Sequence, residues 1–383
     1  MVDSSHTAFA IKEISKNSQF QQVSQNQIFR NYEYNLDFDD KVLGFIRWIF
    51  KNNAEFRHSC LRWVAVLSQL LPDECLPLKR TITFSDGSKA LNLSSPIILA
   101  AGANKNAKSI SAYSNLGFGG ITVGTATRNF RSGNPHRPRV GLDEFNRLIY
   151  NSMGLNNDGI SSVAERVKKQ IEKSHNRGMA VGISVAETPT VTDEASRLQD
   201  ILETFTIGYG VADYIEVNVS CPNTGEERLD LDTKFMKSVF EGIDNFRKTE
   251  SQRKSVYAKL SPDLTEKQLC SILDLLAPLG VNGVILGNTY PSEHLFYDLP
   301  ILNAKGTSGG ISGRPLYENT FRKTIFAKKH FPSLSVVACG GIDHGLKVRD
   351  LLNEGADFVQ AYSVSAFRWN AIKKMNREFF GAV

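Results

Sequence analysis

Short apolar runs recur along the chain after Pro96, and each one leads to a glycine or polar residue and then to a helical stretch. The eight runs cover residues 97–101, 121–124, 180–185, 214–220, 256–261, 283–288, 335–339 and 358–363. Buried strands that alternate with helices indicate a parallel sheet, and eight such strands can close a (β/α)8 TIM barrel. We therefore predict an α/β fold of this type. A doubly wound open sheet is the structural alternative, although no GxGxxG motif follows the first run.

The residues before the barrel follow a different pattern. Residues 1–30 are rich in Ser, Gln, Asn and Lys without an apolar period, and we expect them to be disordered. Apolar side chains at helical spacing between residues 39 and 71 predict a helical hairpin, which forms an N-terminal helical extension over residues 31–78. The barrel domain is then expected to cover residues 79–383. At its start, Asp86-Gly87 separates two strand-like stretches within residues 81–93 and predicts a β-hairpin.

Composition and charge exclude several classes of protein. The hydrophobic content of 41% is that of an ordinary folded chain, and a net charge of +5 is too small to indicate nucleic-acid binding. Five cysteines without a CxxC pair argue against a disulfide framework and favour a reducing compartment. The start of the chain does not resemble a secretory signal. We therefore expect a protein on the cytoplasmic side, peripherally bound to a membrane or, alternatively, soluble.

The residues that follow the eight runs share one pocket if the strands close into a barrel. They offer lysines, a thiol, amides and hydroxyls but no cluster of histidines or carboxylates, which argues against a hydrolytic metal site and a glycosidase. Gly340-Gly341 after the seventh run, with Tyr362 and Ser363 after the eighth, are typical of a barrel phosphate site. Residues 309–313 form a second predicted glycine-rich loop. The alternative is that these glycines only form tight turns.

Cys221 and Lys259 are the two most reactive candidates in this set. Cys221 follows the run at 214–220, and a thiol of suitable pKa can act as a general base or a nucleophile. Lys259 lies in an apolar run, where its ammonium group needs an anion such as a bound cofactor, or else has to reach the barrel rim. A buried, inert thiol is the alternative for Cys221. We expect that state for the remaining cysteines, Cys60, Cys75, Cys270 and Cys339.

Nine short motifs between residues 80 and 380 resemble the dihydroorotate dehydrogenase family, in matching order. They read LAAGANKN, SGNPHRPRV, NSMGLNNDG, ADYIEVNVSCPNT, KLSPDLT, GNT, GGISGRPL, CGGI and QAYS. The family has an FMN-containing (β/α)8 barrel that oxidises dihydroorotate to orotate in pyrimidine biosynthesis. The resemblance implies the same fold, cofactor and reaction here.

The resemblance also implies a role for each matching residue. Cys221 matches the general base that removes the substrate C5 proton while a hydride passes from C6 to the flavin. The residues that match the substrate site are Lys105, Asn151, Met153, Gly154, Leu155, Asn218, Asn223, Asn288 and Thr289. The residues that match the FMN site are Ala101, Gly102, Thr125, Ser184, Asn218, Lys259, Gly313, Gly340, Gly341, Tyr362 and Ser363. No metal site is implied.

The motifs are divided between two classes of this family. The N-terminal helices, AAGANKN and KLSPDLT are similar to the membrane-associated, quinone-linked class, whereas Cys221, NSMGL and GISVAE are similar to the soluble class. Leu142 stands where the quinone-linked class usually has an arginine. We predict a quinone as electron acceptor, with the hairpin at 39–71 on a membrane surface. A soluble enzyme that uses fumarate or another acceptor, with helices that only cap the barrel, is the alternative.

Two further functions are compatible with the same motifs. One is a related flavin barrel that acts on another dihydropyrimidine. The other is a flavin-binding scaffold without turnover. The combination of a base, lysines and amides argues against this second alternative.

Overall fold

The computed structural model describes residues 65–66, 80–136, 138–220, 230–292 and 309–381. Ala65 and Val66 are helical, and Ala65 is buried in the main hydrophobic cluster. The rest of the N-terminal extension, including most of the hairpin at 39–71, lies outside the described residues. The division into residues 1–30, 31–78 and 79–383 therefore stays a prediction.

Eight parallel strands close into a barrel, as the alternating apolar runs predict. Around the barrel they are β3 (Ile97–Leu99), β4 (Gly120–Ala126), β7 (Ala180–Val185), β8 (Tyr214–Asn218), β9 (Ser255–Leu260), β10 (Gly283–Leu286), β13 (Ser335–Cys339) and β14 (Phe358–Ala361). Strand β14 pairs with β3, which completes the ring and excludes the open doubly wound sheet. Four of the predicted runs extend two residues too far, for example to residue 220 where β8 ends at Asn218.

Helices surround the barrel, and some of them begin at a capping side chain. The α-helices are Ile160–Lys168, Ile171–His175, Glu194–Val211, Thr233–Thr249, Glu266–Leu276, Tyr317–His330, Gly345–Asn353, Ser363–Phe367 and Ala371–Phe380, and the 3-10 helices are Ile110–Leu116, Ala277–Leu279 and Arg314–Leu316. Thr265 and Gln268 form a reciprocal capping box, which satisfies backbone N–H groups that have no partner in the first turn. The main hydrophobic core lies between these helices and the barrel wall.

The predicted hairpin at 81–93 closes the amino-terminal end of the barrel. Strand β1 (Arg80–Ile82) pairs antiparallel with β2 (Leu91–Leu93), and their buried side chains join the cluster inside the barrel. Arg247 holds the turn of this hairpin, because its guanidinium group lies 3.0 Å from an Asp86 carboxylate oxygen and 2.9 Å from Asn282 Oδ1. The other end of the barrel stays accessible.

The barrel interior is arranged in layers because side chains two residues apart on a strand share a face. Tyr214, Tyr257 and Phe358 form an aromatic layer with ring centroids 5.8–6.5 Å apart. Two residues further along the same strands come Glu216, Lys259 and Gln360. The layer above the aromatic rings is therefore polar and charged.

A second sheet, which the sequence pattern does not predict, lies next to the barrel. Its antiparallel order is β11 (Tyr290–Pro291), β12 (Gly310–Gly313), β6 (Leu148–Asn151) and β5 (Val140–Asp143). The prediction of a glycine-rich loop at 309–313 is therefore wrong for most of that segment. Gly310 has to pair closely, since an added Cβ would lie 2.0 Å from Thr289 Oγ1. These glycines allow close strand approach rather than a turn.

Among the residues that the structure describes, no helix is both long and apolar enough to cross a membrane.

Candidate active site

A cavity opens at the carboxyl ends of the barrel strands, between the barrel and the second sheet. It contains about 1120 Å³ of open space, a figure that includes adjoining solvent. Its lining residues are Ala100, Ala101, Gly102, Lys105, Thr125, Val140, Ile149, Asn151, Met153, Leu155, Asn218, Lys259, Asn288, Thr289, Ser312, Gly313, Leu316, Cys339, Gly340, Gly341, Ile342, Gln360, Ala361, Tyr362 and Ser363. The barrel and the second sheet both contribute to this lining.

The floor of the cavity carries a buried ion pair. Lys259 is 3% exposed, which excludes the alternative that it reaches the barrel rim, and its Nζ lies 3.1 Å from Glu216 Oε1. Burial favours the neutral amine, but the Glu216 carboxylate and, to a lesser extent, Cys339 outweigh it and raise the pKa of Lys259. Lys259 is therefore a fixed positive charge at this floor.

A network of amides and hydroxyls extends from the floor along one wall. Asn218 Nδ2 donates to Thr125 Oγ1 (3.0 Å), and Asn288 Nδ2 donates to Asn218 Oδ1 (3.2 Å). Asn288 Nδ2 also lies 3.0 Å from Ser220 Oγ, which donates to the Lys259 carbonyl oxygen. Because each side chain is held by a neighbour, the two asparagines are preorganised toward the cavity.

The rim opposite this network carries Lys105 and Asn151. Lys105 Nζ donates to Asn156 Oδ1 at 2.5 Å, and Asn151 Nδ2 donates to the Gly310 carbonyl oxygen at 3.3 Å. Lys105 thus brings a second cation to the cavity. Asn156 is the residue that orients it, and the sequence motifs do not assign a role to this asparagine.

Glycines and hydroxyl residues form the far end of the cavity. Gly340 and Gly341 have φ angles of 137° and 70°, and an added Cβ at Gly341 would lie 2.3 Å from Tyr317 N. Gly102 also lines the cavity, and a Cβ there would meet nothing within 4 Å, so its backbone faces open space. Backbone left bare in this way suits close approach by a phosphate or a flat ring.

The structure brings together most of the residues that the motifs predict. Those that line the cavity are Lys105, Asn151, Met153, Leu155, Asn218, Asn288, Thr289, Ala101, Gly102, Thr125, Lys259, Gly313, Gly340, Gly341, Tyr362 and Ser363. Ser184 is buried behind the wall, where its Oγ shares a 3.0 Å hydrogen bond with Thr125 Oγ1. Gly154 is not in the lining and packs against Asn134. Cys221 and Asn223 lie outside the described residues.

Ser220 and Asp230, the described residues on either side of 221–229, are both held by hydrogen bonds near the cavity. Ser220, directly before Cys221, is buried and bonded to Lys259 and Asn288 as described above. Asp230, directly after the segment, donates its backbone N–H to the Val219 carbonyl oxygen at 2.8 Å, and its carboxylate accepts from Ser261 N at 3.1 Å. Ser220 and Asp230 therefore both lie near the carboxyl ends of β8 and β9.

Two buried residues of the site were not predicted from the sequence. Glu216 is fully buried beside Lys259, and Gln360 Oε1 lies 3.3 Å from the same ammonium group. Both could have been found from the sequence, because each is a polar residue inside an apolar strand run. Each also lies two residues before a predicted cavity residue, so the two side chains share one face of the strand. The apolar lining of Val140, Ile149, Leu316 and Ile342 comes mainly from the second sheet and the loops, which had no such signal.

The prediction that Cys270 and Cys339 are buried, inert residues is wrong about their burial, since neither residue is fully buried. Cys270 is partly exposed on the helix Glu266–Leu276, with its sulfur 3.7 Å from an Asp274 carboxylate oxygen. Cys339 is half-buried as a residue because it lines the cavity, although its thiol is enclosed by the protein. Cys60 and Cys75 lie outside the described residues.

The described lining offers cations and donors but lacks a good proton acceptor. Burial is the main cause that raises the pKa of the Cys339 thiol, and it raises the pKa of the Tyr362 phenol as well. Both groups are therefore protonated near neutral pH, as Lys259 is. Within the described ranges, no group of three or more His, Cys, Asp or Glu side chains could hold a metal ion. The cavity is suited to a flat, anionic molecule with polar edges.

Sequence comparison matches this chain to a single enzyme family. The family model described as "Dihydroorotate dehydrogenase" matches residues 87–379. The dihydroorotate dehydrogenase (quinone) of Clavibacter sepedonicus is 32% identical over 311 residues, which are 78% of this chain and 87% of that protein. The enzyme of the same name from Actinobacillus pleuropneumoniae serotype 5b is 31% identical over 331 residues, covering 85% and 94%.

Solved structures share the fold. The ligand-free DHODH of Eimeria tenella superposes with a TM-score of 0.73 at 25% identity, and covers 85% of this chain and 94% of its own. The same enzyme in complex with ferulenol gives a TM-score of 0.74 at 24% identity, with 86% and 92% covered.

Proposed function

This chain belongs to the dihydroorotate dehydrogenase family, and from that premise we propose that it oxidises (S)-dihydroorotate to orotate with bound FMN and passes the electrons to a quinone. It is an oxidoreductase that acts on a CH–CH bond in pyrimidine biosynthesis. The observation that carries the proposal is the convergence of Lys105, Asn218, Asn288 and Lys259 on one cavity.

The chemistry of the cavity lining suits FMN. Ala101, Gly102 and Thr125 would contact the ring, and Lys259 would place a cation beside it. The phosphate end would lie against Gly313, Gly340, Gly341, Tyr362 and Ser363. When bound, FMN supplies the acceptor for the hydride that leaves substrate C6. Ser184 supports this site from behind through Thr125.

The substrate is an anion with amide edges, and the residues at the rim match it. Lys105 would neutralise the carboxylate of dihydroorotate, and Asn151, Asn218, Asn288 and Thr289 would bind its ring through hydrogen bonds. Asn223 belongs to the same proposed set. The hydrogen bonds that already hold Asn218 and Asn288 reduce the freedom they lose when substrate binds. Met153 and Leu155 would exclude water beside them, and Gly154 keeps the loop between them compact.

Cys221 is the proposed general base. It would take the C5 proton on its sulfur, and the C5–C6 double bond forms as the hydride leaves C6, so the substrate loses two electrons and two hydrogens. The protonated state of Lys259, Cys339 and Tyr362 supports this role, because none of these three cavity groups accepts a proton near neutral pH. The anchoring of Ser220 supports it as well, since Cys221 is the next residue.

The names of the relatives and an apolar cluster support a quinone as acceptor. Val140, Ile149, Met153 and Phe367 are buried together beside the cavity, with Leu142 packed against them. An apolar wall suits a lipid-soluble acceptor. Peripheral membrane contact through residues 39–71 is part of the same proposal.

A steady-state assay tests this function. Purified full-length protein is assayed with dihydroorotate and, in turn, a short-chain quinone, fumarate, NAD or oxygen. We expect turnover with the quinone and a loss of about 10²–10⁴-fold in Cys221→Ala, which should still retain FMN. Cys270→Ala removes a thiol on an outer helix and should turn over as the wild type does.

Each failure in this assay has a distinct meaning. Full activity in Cys221→Ala would remove the base from the proposal. Turnover with fumarate in place of quinone would favour the soluble type of enzyme, and turnover of another dihydropyrimidine in place of dihydroorotate would favour the related flavin barrel.

A further inference from the structure

The charged layer inside the barrel contains one carboxylate that the reaction does not use. Glu216 is fully buried, and its side chain shares a face of β8 with Tyr214 below and Asn218 above. Its Oε1 lies 3.1 Å from Lys259 Nζ, and its Oε2 accepts a hydrogen bond of 2.9 Å from Gln360 Nε2. Glu216 therefore lies one step below the cavity and contacts it through Lys259.

Gln360 fixes the orientation of this pair. Its amide oxygen faces Lys259 at 3.3 Å, and its amide nitrogen donates to Glu216 and, at 3.1 Å, to Thr122 Oγ1. Thr122 Oγ1 in turn shares a 2.8 Å hydrogen bond with the Tyr214 hydroxyl group. A chain of hydrogen bonds thus runs from the aromatic layer to the lysine, and each member leaves its neighbour little freedom.

A buried ion pair such as Lys259–Glu216 costs folding free energy, so its presence needs an explanation. Moving two charges out of water costs several kcal/mol per ion even after relaxation, and an apolar pair of similar size often gives equal or greater stability. Burial alone would lower the pKa of a lysine at this depth, because it disfavours the ammonium form. The carboxylate is therefore best explained by what it does to the lysine.

We propose that Glu216 is a positioning residue for Lys259: it keeps the ammonium group charged and directed at the floor of the cofactor cavity. The proposal rests on the proposed function, because the cavity is taken to hold FMN. It also specifies that the positive charge beneath the flavin is partnered by a negative one. The flavin would then meet an ion pair rather than an isolated cation.

Other ionisable groups near Lys259 cannot replace Glu216. Among the described residues, the ionisable side chains whose charges act on Lys259 are Glu216 from β8 and Cys339 from β13, and Tyr214 lies below Glu216 on the same face of β8. Cys339 and Tyr214 are neutral near pH 7, since burial raises the pKa of both. Without Glu216, burial is the main influence on Lys259 among the described residues, and the lysine would titrate at a lower pH than in the wild type.

The test compares Glu216→Gln with the wild type, both reconstituted with FMN. The midpoint potential of the bound flavin is measured by spectroelectrochemistry over about pH 6 to 9, a range that a buried lysine can enter because burial lowers its pKa by up to ~3–5 units. We expect a new inflection in the pH profile of the variant, and weaker FMN binding above that inflection. Asp86→Asn is the matched control, since it removes a carboxylate paired with buried Arg247 at the opposite end of the barrel. It should keep the wild-type profile.

The outcomes separate this inference from the proposed function. A wild-type protein that binds no FMN would contradict both. If the wild type binds FMN and Glu216→Gln gives an identical pH profile, only the inference is overturned. If Glu216→Gln does not fold, Lys259→Met is compared with the double variant Lys259→Met/Glu216→Gln. We expect the double variant to be more stable and to bind FMN more tightly than Lys259→Met, because it leaves no unpaired carboxylate, and equal values would contradict the proposal.

Discussion

At the scale of single residues, partners decide how a side chain behaves in this barrel. Lys259 is charged because the Glu216 carboxylate outweighs the effect of burial, which by itself would lower the pKa of the lysine. Cys339, a neighbour of the same lysine, stays a neutral thiol because burial outweighs the attraction of the cation. Residue type alone does not predict these states. The neighbours that set them come from different strands, and their identity follows only from strand order.

Part of this arrangement can still be predicted from the sequence. The motifs identify Lys259, Asn218 and Asn288, and each lines the cavity. Glu216 could have been added, because alternation on β8 places it on the same face as Asn218. The pairing of Glu216 with Lys259 could not have been predicted, since that contact depends on the stagger between β8 and β9.

His175 provides a prediction about pH and stability. Its Nε2 lies 2.8 Å from an Asp213 carboxylate oxygen, and this hydrogen bond raises the pKa of the histidine although partial burial opposes it. A raised pKa stabilises the fold fully below the ordinary value near 6.5, and the effect disappears as pH rises through the folded pKa. The wild type should therefore exceed His175→Gln in free energy of unfolding at mildly acidic pH, by less than about 1 kcal/mol because the pair is partly exposed.

Denaturant unfolding of both proteins is measured between about pH 5 and 9, because a histidine changes its charge in this range. The advantage of the wild type should shrink toward the alkaline end. Lys169→Gln is the control, because it breaks an exposed pair with Glu165 in which neither charge changes near neutral pH. A wild-type advantage that grows with pH would contradict the assignment.

At the scale of elements, the strand-to-helix loops build the site and the glycines set their paths. Gly341 has a φ angle of 70°, and its Cα faces the start of the helix Tyr317–His330. That contact joins the loop after β13 to the segment after β12. The proposed phosphate end of the cavity depends on this junction.

Gly341→Ala is therefore predicted to weaken FMN binding and lower stability together. The new Cβ would clash with Tyr317 N, in addition to the strain of a left-handed backbone, which costs roughly 1–2 kcal/mol. Gly87→Ala has the same strain at a φ angle of 75° but meets nothing within 4 Å, in the hairpin at the closed end of the barrel. It should lose about the strain energy alone and keep the FMN dissociation constant of the wild type.

Thermal unfolding and an FMN titration of the two variants provide the comparison. If Gly341→Ala binds FMN as tightly as the wild type and loses no more stability than Gly87→Ala, the loop does not shape the phosphate end.

The second sheet was missed at this scale for a physical reason. Strands β5, β6, β11 and β12 contain two to four residues each, and β12 reads GISG, which is more typical of a turn than of a strand. Pairing with β6 forms this strand, so tertiary contacts override local preference. The hairpin at 81–93 was predictable because its turn and its apolar strands agree locally.

At the scale of the whole molecule, the sequence pattern predicts the barrel well because each strand is buried on both faces. Such strands appear as continuous apolar runs, and all eight are identified with errors of at most two residues at their ends. Closure follows once β14 pairs with β3. The common cavity then follows from geometry, since the carboxyl ends of the strands converge on one face. The N-terminal extension and its membrane contact stay predictions.

An anaerobic titration determines whether this cavity oxidises dihydroorotate through a bound flavin. The purified, FMN-loaded full-length protein is mixed with dihydroorotate in the absence of any acceptor, and the flavin spectrum and the orotate formed are followed together. We expect the flavin absorbance to bleach with one orotate formed for each FMN, whereas dihydrouracil should leave the spectrum unchanged. A flavin that stays oxidised in the presence of dihydroorotate, or that bleaches equally with dihydrouracil, would contradict the account.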